Sequence, residues 1–245
     1  MSYTRKEVEE EVKKALPEIE RLYAEDFVKR IGSTKDTKEL YTEVLSEYLL
    51  RNLNSFDDIG SISRTKTYCE DRHAEVKINL DSGAKKDTGR KEENFAKRIT
   101  YLKFDNLGTI KDYQIPLKDT RLNKGVGKID LISFNDKTNT LYLIELKYEG
   151  NKESLLRATL ESYTYFKIVD HSKIIDDFKS FGSSNPSGIN VVPAVLVTPG
   201  CQAYNELLGS DKIKGIEERP QLKALSLTLG IKYFTLEMFA DEYVL

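Results

Sequence analysis

The residues of this chain best equipped for chemistry are Asp130, Glu145 and Lys147. Residues 128–134 are apolar and β-prone, and so are residues 141–148. Between them, Asn135-Asp136-Lys137-Thr138-Asn139-Thr140 is a run of turn formers. A hairpin symmetric about that turn sets Phe134 opposite Leu141, Ile132 opposite Leu143, Asp130 opposite Glu145 and Lys128 opposite Lys147. Side chains alternate across a strand, so all of these share one face. That face is apolar near the turn and charged away from it, as a core running out into a cleft would be. Two opposed carboxylates at ~4 Å repel by about 4 kcal/mol at an effective dielectric near ~20. A raised carboxyl pKa, the Lys147 ammonium or a bound cation must offset that. Carboxylate oxygens with a few waters suit Mg2+ or Mn2+.

The elements that must position these residues follow from periodicity. Residues 5–31 have apolar residues near helical spacing with a break at Pro17. They predict accessory N-terminal helices within residues 1–34, or a surface for a homodimer. After the cap formers Ser33 to Thr37, a helix is expected to about residue 53, burying Leu40, Tyr41, Val44, Leu45, Tyr48 and Leu49. Glu39, Glu43 and Glu47 form a stripe on its flank. Glu43, the central one, is a candidate third carboxylate, against the plain reading of a solvated acidic face. Strands are expected over 72–80, 96–104 and 110–117, with Pro116 at the end of the last. Residues 81–91 read as a polar loop and 118–127 as a basic, glycine-bearing one. Beyond the hairpin come a helix over 152–169, a loop over 182–188 and an apolar run at 191–198 that fits a strand buried on both faces. Short helices at 202–208 and 221–229 and a terminal strand at 231–236 complete the chain. The fold class is α/β, a central mixed β-sheet flanked by helices.

With Asp130 as first acid and Glu145-Leu146-Lys147 as a (D/E)-x-K element, the chain resembles the PD-(D/E)XK nuclease superfamily over roughly residues 37–199. The resemblance implies one nuclease-like domain over 1–245, with an αβββαβ restriction-endonuclease-like core and C-terminal helices in 200–245. It implies hydrolysis of phosphodiester bonds by a water that Mg2+ or Mn2+ activates, with DNA ahead of RNA as substrate. Asp130, Glu145 and the backbone carbonyl of Leu146 become metal ligands. Lys147 orients the water or stabilises charge on phosphorus. The superfamily often adds a glutamate from the helix before the sheet, here Glu43. Ile129 stands where the motif's proline would be. Glu75-Val76-Lys77 is a second Glu-x-Lys, without a paired acidic strand. Some branches place Gln-x-x-x-Tyr on the following helix. Thr159 with Tyr163 and Glu161 with Tyr165 approximate it, and an ion pair of Glu161 with Arg157 is the plain account. Lys118, Arg121, Lys124 and Lys128 cluster before the first motif, where they could line a phosphate groove. The alternative is a nuclease fold that has lost cleavage and keeps nucleic-acid or protein recognition. A further rival is an interaction protein using its tyrosine-rich helices.

Composition narrows the field. The 245 residues are 39% hydrophobic and 32% charged, enough to bury about 70% of the extended chain's surface without staples. No apolar run approaches the ~20 residues of a membrane helix, and residues 1–7 carry no signal-peptide core. A cytoplasmic protein with free Cys69 and Cys201 is expected. Two histidines, His73 and His171, leave no Cys/His zinc site and no His-based nuclease motif. The net charge of −2 does not announce a polyanion binder, so any phosphate-binding charge must be local.

Overall fold

The computed structural model describes residues 2–69, 90–118, 127–179, 188–239 and 242–244. Its centre is a six-stranded mixed sheet in the order β1-β2-β3-β4-β5-β6: Lys103–Phe104, Gly108–Pro116, Lys128–Asn135, Thr140–Lys147, Asn190–Val197 and Lys232–Thr235. The first four strands run antiparallel in turn, and β4, β5 and β6 are parallel. Two further described strands, β7 (Glu237–Phe239) and β8 (Glu242–Val244), pair with each other.

The β3–β4 hairpin forms where its turn chemistry directs. Asn135 Oδ1 accepts from the Lys137 and Thr138 amides, and Asn139 adopts φ 51°, a left-handed conformation that asparagine tolerates. The register runs from Asn135 opposite Thr140 through Phe134 opposite Leu141 and Ile132 opposite Leu143 to Leu131 opposite Ile144. It therefore matches the symmetric hairpin, except that the backbone ladder stops one step before Asp130 and Glu145.

Each face of the sheet is covered. On one, Ile132, Phe134, Leu141, Leu143, Val195 and Val197 pack in a large core against helices. These are α1 (Arg5–Ala15), α2 (Tyr41–Arg51), α4 (Leu155–Ile168), α5 (His171–Lys179), α6 (Gln202–Leu208) and α7 (Pro220–Thr228). On the other, Leu131, Tyr142, Ile144, Leu146 and Leu196 pack with Phe95, Ala96 and Ile99 of α3 (Lys91–Ile99). Apolar burial of this extent on both faces is the dominant favourable term in holding the layers together.

Several expectations need correction. The helix predicted over 5–31 is α1 followed by 3-10 turns at Leu16–Ala24 and Asp26–Lys29, with Pro17 at the junction. The helix predicted from Thr37 begins at Tyr41, and Leu40 at its entry gives no side-chain cap. Of the strand predicted over 96–104, residues 96–99 are the end of helix α3 and residues 100–102 lead out of it. Phe95, Ala96 and Ile99 fall on one helical face, and Glu92 and Glu93 in the first turn and Lys97 and Arg98 in the last suit the helix dipole. Only Lys103–Phe104 is strand. The strand expected over 72–80, with His73 and Glu75-Val76-Lys77, and the loop at 182–187 lie outside the described residues. Cys69 and Cys201 are free and buried. No described helix is long and apolar enough to cross a membrane.

Candidate active site

At the end of the hairpin remote from its turn, a cleft of about 350 Å3 opens between α3 and α4. Asp130, Glu145, Lys147 and Lys128 line it, as the shared hairpin face requires, together with Glu92, Gln114, Asn151, Glu153, Arg157, Glu161 and Tyr165. Asp130 enters by side chain where the ladder has ended. Its Oδ2 accepts the Leu146 amide at 3.0 Å, and its Oδ1 accepts Gln114 Nε2 at 2.8 Å. In an extended strand a residue's C=O points to the same side as its N–H, so the Leu146 carbonyl also faces β3.

Lys147 is almost wholly buried. Its ammonium lies 2.7 Å from Glu145, 2.6 Å from Glu153 and 3.3 Å from Glu161. The helix α4 supplies the far wall. Ser154 caps it by accepting from the Arg157 amide, and Glu206 of α6 accepts the Leu155 amide at 2.7 Å. Tyr165 donates to Glu161 Oε1 at 3.0 Å, and its hydroxyl is 3.4 Å from that of Tyr23 in the first 3-10 segment. Gly127, just before β3, must lack a side chain, because a Cβ there would stand 2.0 Å from the Tyr165 hydroxyl oxygen.

Five carboxylates therefore face three cations in an open cleft whose Asp130, Glu145, Lys147 and Glu161 are themselves buried. Burial pushes the Asp130 carboxyl up to about 7, with Lys147 and the Leu146 amide opposing and Glu92 assisting. Glu145 is pushed well above its ordinary value, first by burial and then by Asp130 and Glu161. Burial also raises Glu92. Burial alone would lower Lys147, but Glu145, Glu161, Glu153 and Asp130 reverse this and hold it firmly protonated. Glu153 goes the other way: burial would raise it, and Lys147 and Arg157 overcome that. The repulsion expected from paired acids is thus present, and Lys147 together with raised carboxyl pKa values absorbs part of it.

The donor set suits a hard divalent cation. Two desolvated carboxylates stand beside each other with excess negative charge, and Mg2+ keeps most of its own waters at such sites. Among the described residues, no three of His, Cys, Asp and Glu converge into a ready-made cage, so a cation held there would take its other ligands from water.

Other expected members lie elsewhere. Glu43 does not line the cleft; its two oxygens accept the Gln221 and Leu222 amides at 3.0 Å each, at the start of α7. Lys118 is exposed and does not line the cleft, while Lys128 stands at its rim. Arg121 and Lys124 lie outside the described residues. His171 contacts the Phe166 carbonyl, away from the cleft.

Sequence reading missed Glu92, Gln114 and Glu153. Glu92 fell between the loop expected over 81–91 and the strand expected over 96–104, and its signal is the helical spacing with Phe95, Ala96 and Ile99. Glu161 does approach Arg157, at 3.9 Å, but inside the cleft rather than on a surface. Its signal was a charge on a helix buried nearly all round. Glu153 and Gln114 have no local signal in the sequence.

Comparison of the chain with protein-family models, with curated proteins and with solved structures finds no match.

Proposed function

We propose that the chain is a metal-dependent nuclease that hydrolyses phosphodiester bonds, with DNA as the preferred substrate. The single observation that carries this reading is the convergence of Asp130, Glu145 and Lys147 in one cleft at the open end of the β3–β4 hairpin. The run α3, β1, β2, β3, β4, α4, α5, β5 supports it, containing the αβββαβ order of a restriction-endonuclease-like core with the two-residue β1 and the helix α5 added. Glu92, on the helix before the sheet, fits the third acid that Glu43 does not provide. Glu161 with Tyr165 is the register that reaches the cleft.

In this reading Asp130 and Glu145 hold the cation, assisted by the Leu146 carbonyl. A bound Mg2+ or Mn2+ supplies Lewis acidity at the scissile phosphate and acidifies water. Gln114 and the Leu146 amide orient Asp130. The Lys147 ammonium is a fixed positive charge poised for the negative charge that develops on phosphorus. Glu153 and Glu161 position that ammonium, and Tyr165 orients Glu161. Lys128 at the rim faces the neighbouring phosphates.

Incubating the protein with single- and double-stranded DNA and RNA in Mg2+, Mn2+ or EDTA tests this. Metal-dependent cutting that disappears in Glu145→Ala and in Lys147→Ala is the expected result. Binding without cutting under every condition assigns the fold to recognition instead, and neither binding nor cutting refutes both.

A further inference from the structure

We propose that Gln114 is a positioning residue for Asp130, and that the backbone distortion at Gln114 is retained for this contact. The inference rests on the metal-dependent reading for its consequence, but not for the contact itself. Four described residues other than glycine have left-handed φ: Lys38, Tyr101, Gln114 and Asn139. Gln114, at φ 52°, is the one that lies inside a strand. An L-residue is strained there, and glutamine lacks the short polar side chain that lets asparagine tolerate it.

The distortion changes what the sheet presents. Tyr113 pairs with Leu131, and both pack in the cluster beneath α3. Ile115 pairs with Ile129, and both pack in the opposite cluster. Residues two apart on a regular strand share a face. The sheet therefore turns over between these pairs, at the step occupied by Gln114 and Asp130. Both polar side chains emerge into the cleft at that turn. Gln114 Nε2 donates to Asp130 Oδ1 at 2.8 Å, while the Leu146 amide takes Oδ2. Each carboxylate oxygen then has one fixed donor and still has lone-pair capacity for a cation. Glycine or asparagine would suit the backbone better, but glycine has no donor and asparagine is one methylene shorter than glutamine. Strained residues cluster where surrounding structure holds them for function.

The test combines calorimetry of Mn2+ binding with thermal melts in EDTA. Gln114→Gly and Gln114→Asn both relax the backbone; the first removes the donor and the second draws it back by one methylene. Each is expected to weaken Mn2+ binding by about 10-fold or more, the usual effect of removing a partner that orients a metal ligand. Gln114→Gly is then placed in wild-type and Asp130→Ala backgrounds. In the Asp130→Ala background there is no contact to lose. The glycine should therefore shift the melting temperature upward by about 3 °C more than it does in wild type. Unchanged Mn2+ affinity in both variants, or equal melting shifts in both backgrounds, overturns the proposal. Failure of the wild type to bind Mn2+ refutes the metal-dependent reading alone, and the melting cycle still decides the role of Gln114.

Discussion

Among the described residues, the hollow around Asp130 and the hollow around Glu43 are both acid-rich, and they are built in opposite ways. The first is the cleft of Asp130 and Glu145. The second, about 430 Å3, is lined by Glu39, Glu43, Glu47 and Glu218 with Lys38 and Lys214. In the second hollow each of these acids has a partner. Arg5 bridges Glu39 and Glu47. Glu43 takes two amides at the start of α7, and Glu218 accepts the Gly215 amide. The Thr37 hydroxyl and the Arg5 guanidinium hold the Glu39 carboxyl below its usual range. In the cleft the acids Asp130, Glu145 and Glu92 are pushed the other way by burial. A count of carboxylates does not separate the two hollows. Desolvation without full compensation does, and it is what the proposed cation would relieve.

The sharpest way to break this contrast is to remove one acid from each hollow. Glu145→Ala should reduce metal-dependent cleavage by about 10^3-fold, equivalent to roughly 4 kcal/mol of transition-state stabilisation. Glu43→Ala should leave cleavage within about 3-fold, since that carboxylate caps a helix. Equal losses in the two variants, read from initial rates, would erase the distinction.

The pH dependence of stability is next in size. Asp130 has an ordinary pKa of 3.8 and about 7 in the folded chain. Between those values the folded state keeps a proton that the unfolded state releases, so metal-free stability falls as pH rises from about 4 through about 7. The contribution is at most roughly 4 kcal/mol, and Glu145 acts in the same direction. Melting temperatures in EDTA should therefore be several degrees lower at pH 8 than at pH 5.5. Asp130→Asn should shrink that difference, and an unchanged difference would sink the assignment. Saturating Mn2+ should recover most of the loss at pH 8, because binding to the folded state adds stability.

Smaller effects belong to the second hollow. Glu43→Ala loses the cap on α7 and should cost about 1 kcal/mol, a fall of roughly 3 °C in melting temperature. Arg5→Ala breaks partly exposed ion pairs and should cost less than about 1 kcal/mol, measured by urea unfolding.

The hairpin was legible because its turn residues and the apolar, β-prone runs on either side are local signals that agree. The apolar run that became β5 and the short helices α6 and α7 were legible for the same reason. Helix α3 was not, since it offers only Phe95, Ala96 and Ile99 as apolar anchors within a charged stretch. With it Glu92 was lost, and Glu43 was given a place in the cleft instead. Nothing in the sequence near Glu43 says that its carboxylate meets an amide 178 residues away. Gln114 was invisible because left-handed backbone at a glutamine has no compositional mark. What the sequence could not reveal was thus non-local: which acid is capped by a distant helix and which is left buried against another acid.

Calorimetric titration of Mn2+ at pH 8 tests the central claim most directly. Wild type and Glu43→Ala should bind with the same affinity, while Asp130→Ala and Glu145→Ala should lose binding. Equal binding by all four proteins, or none by the wild type, would contradict the account.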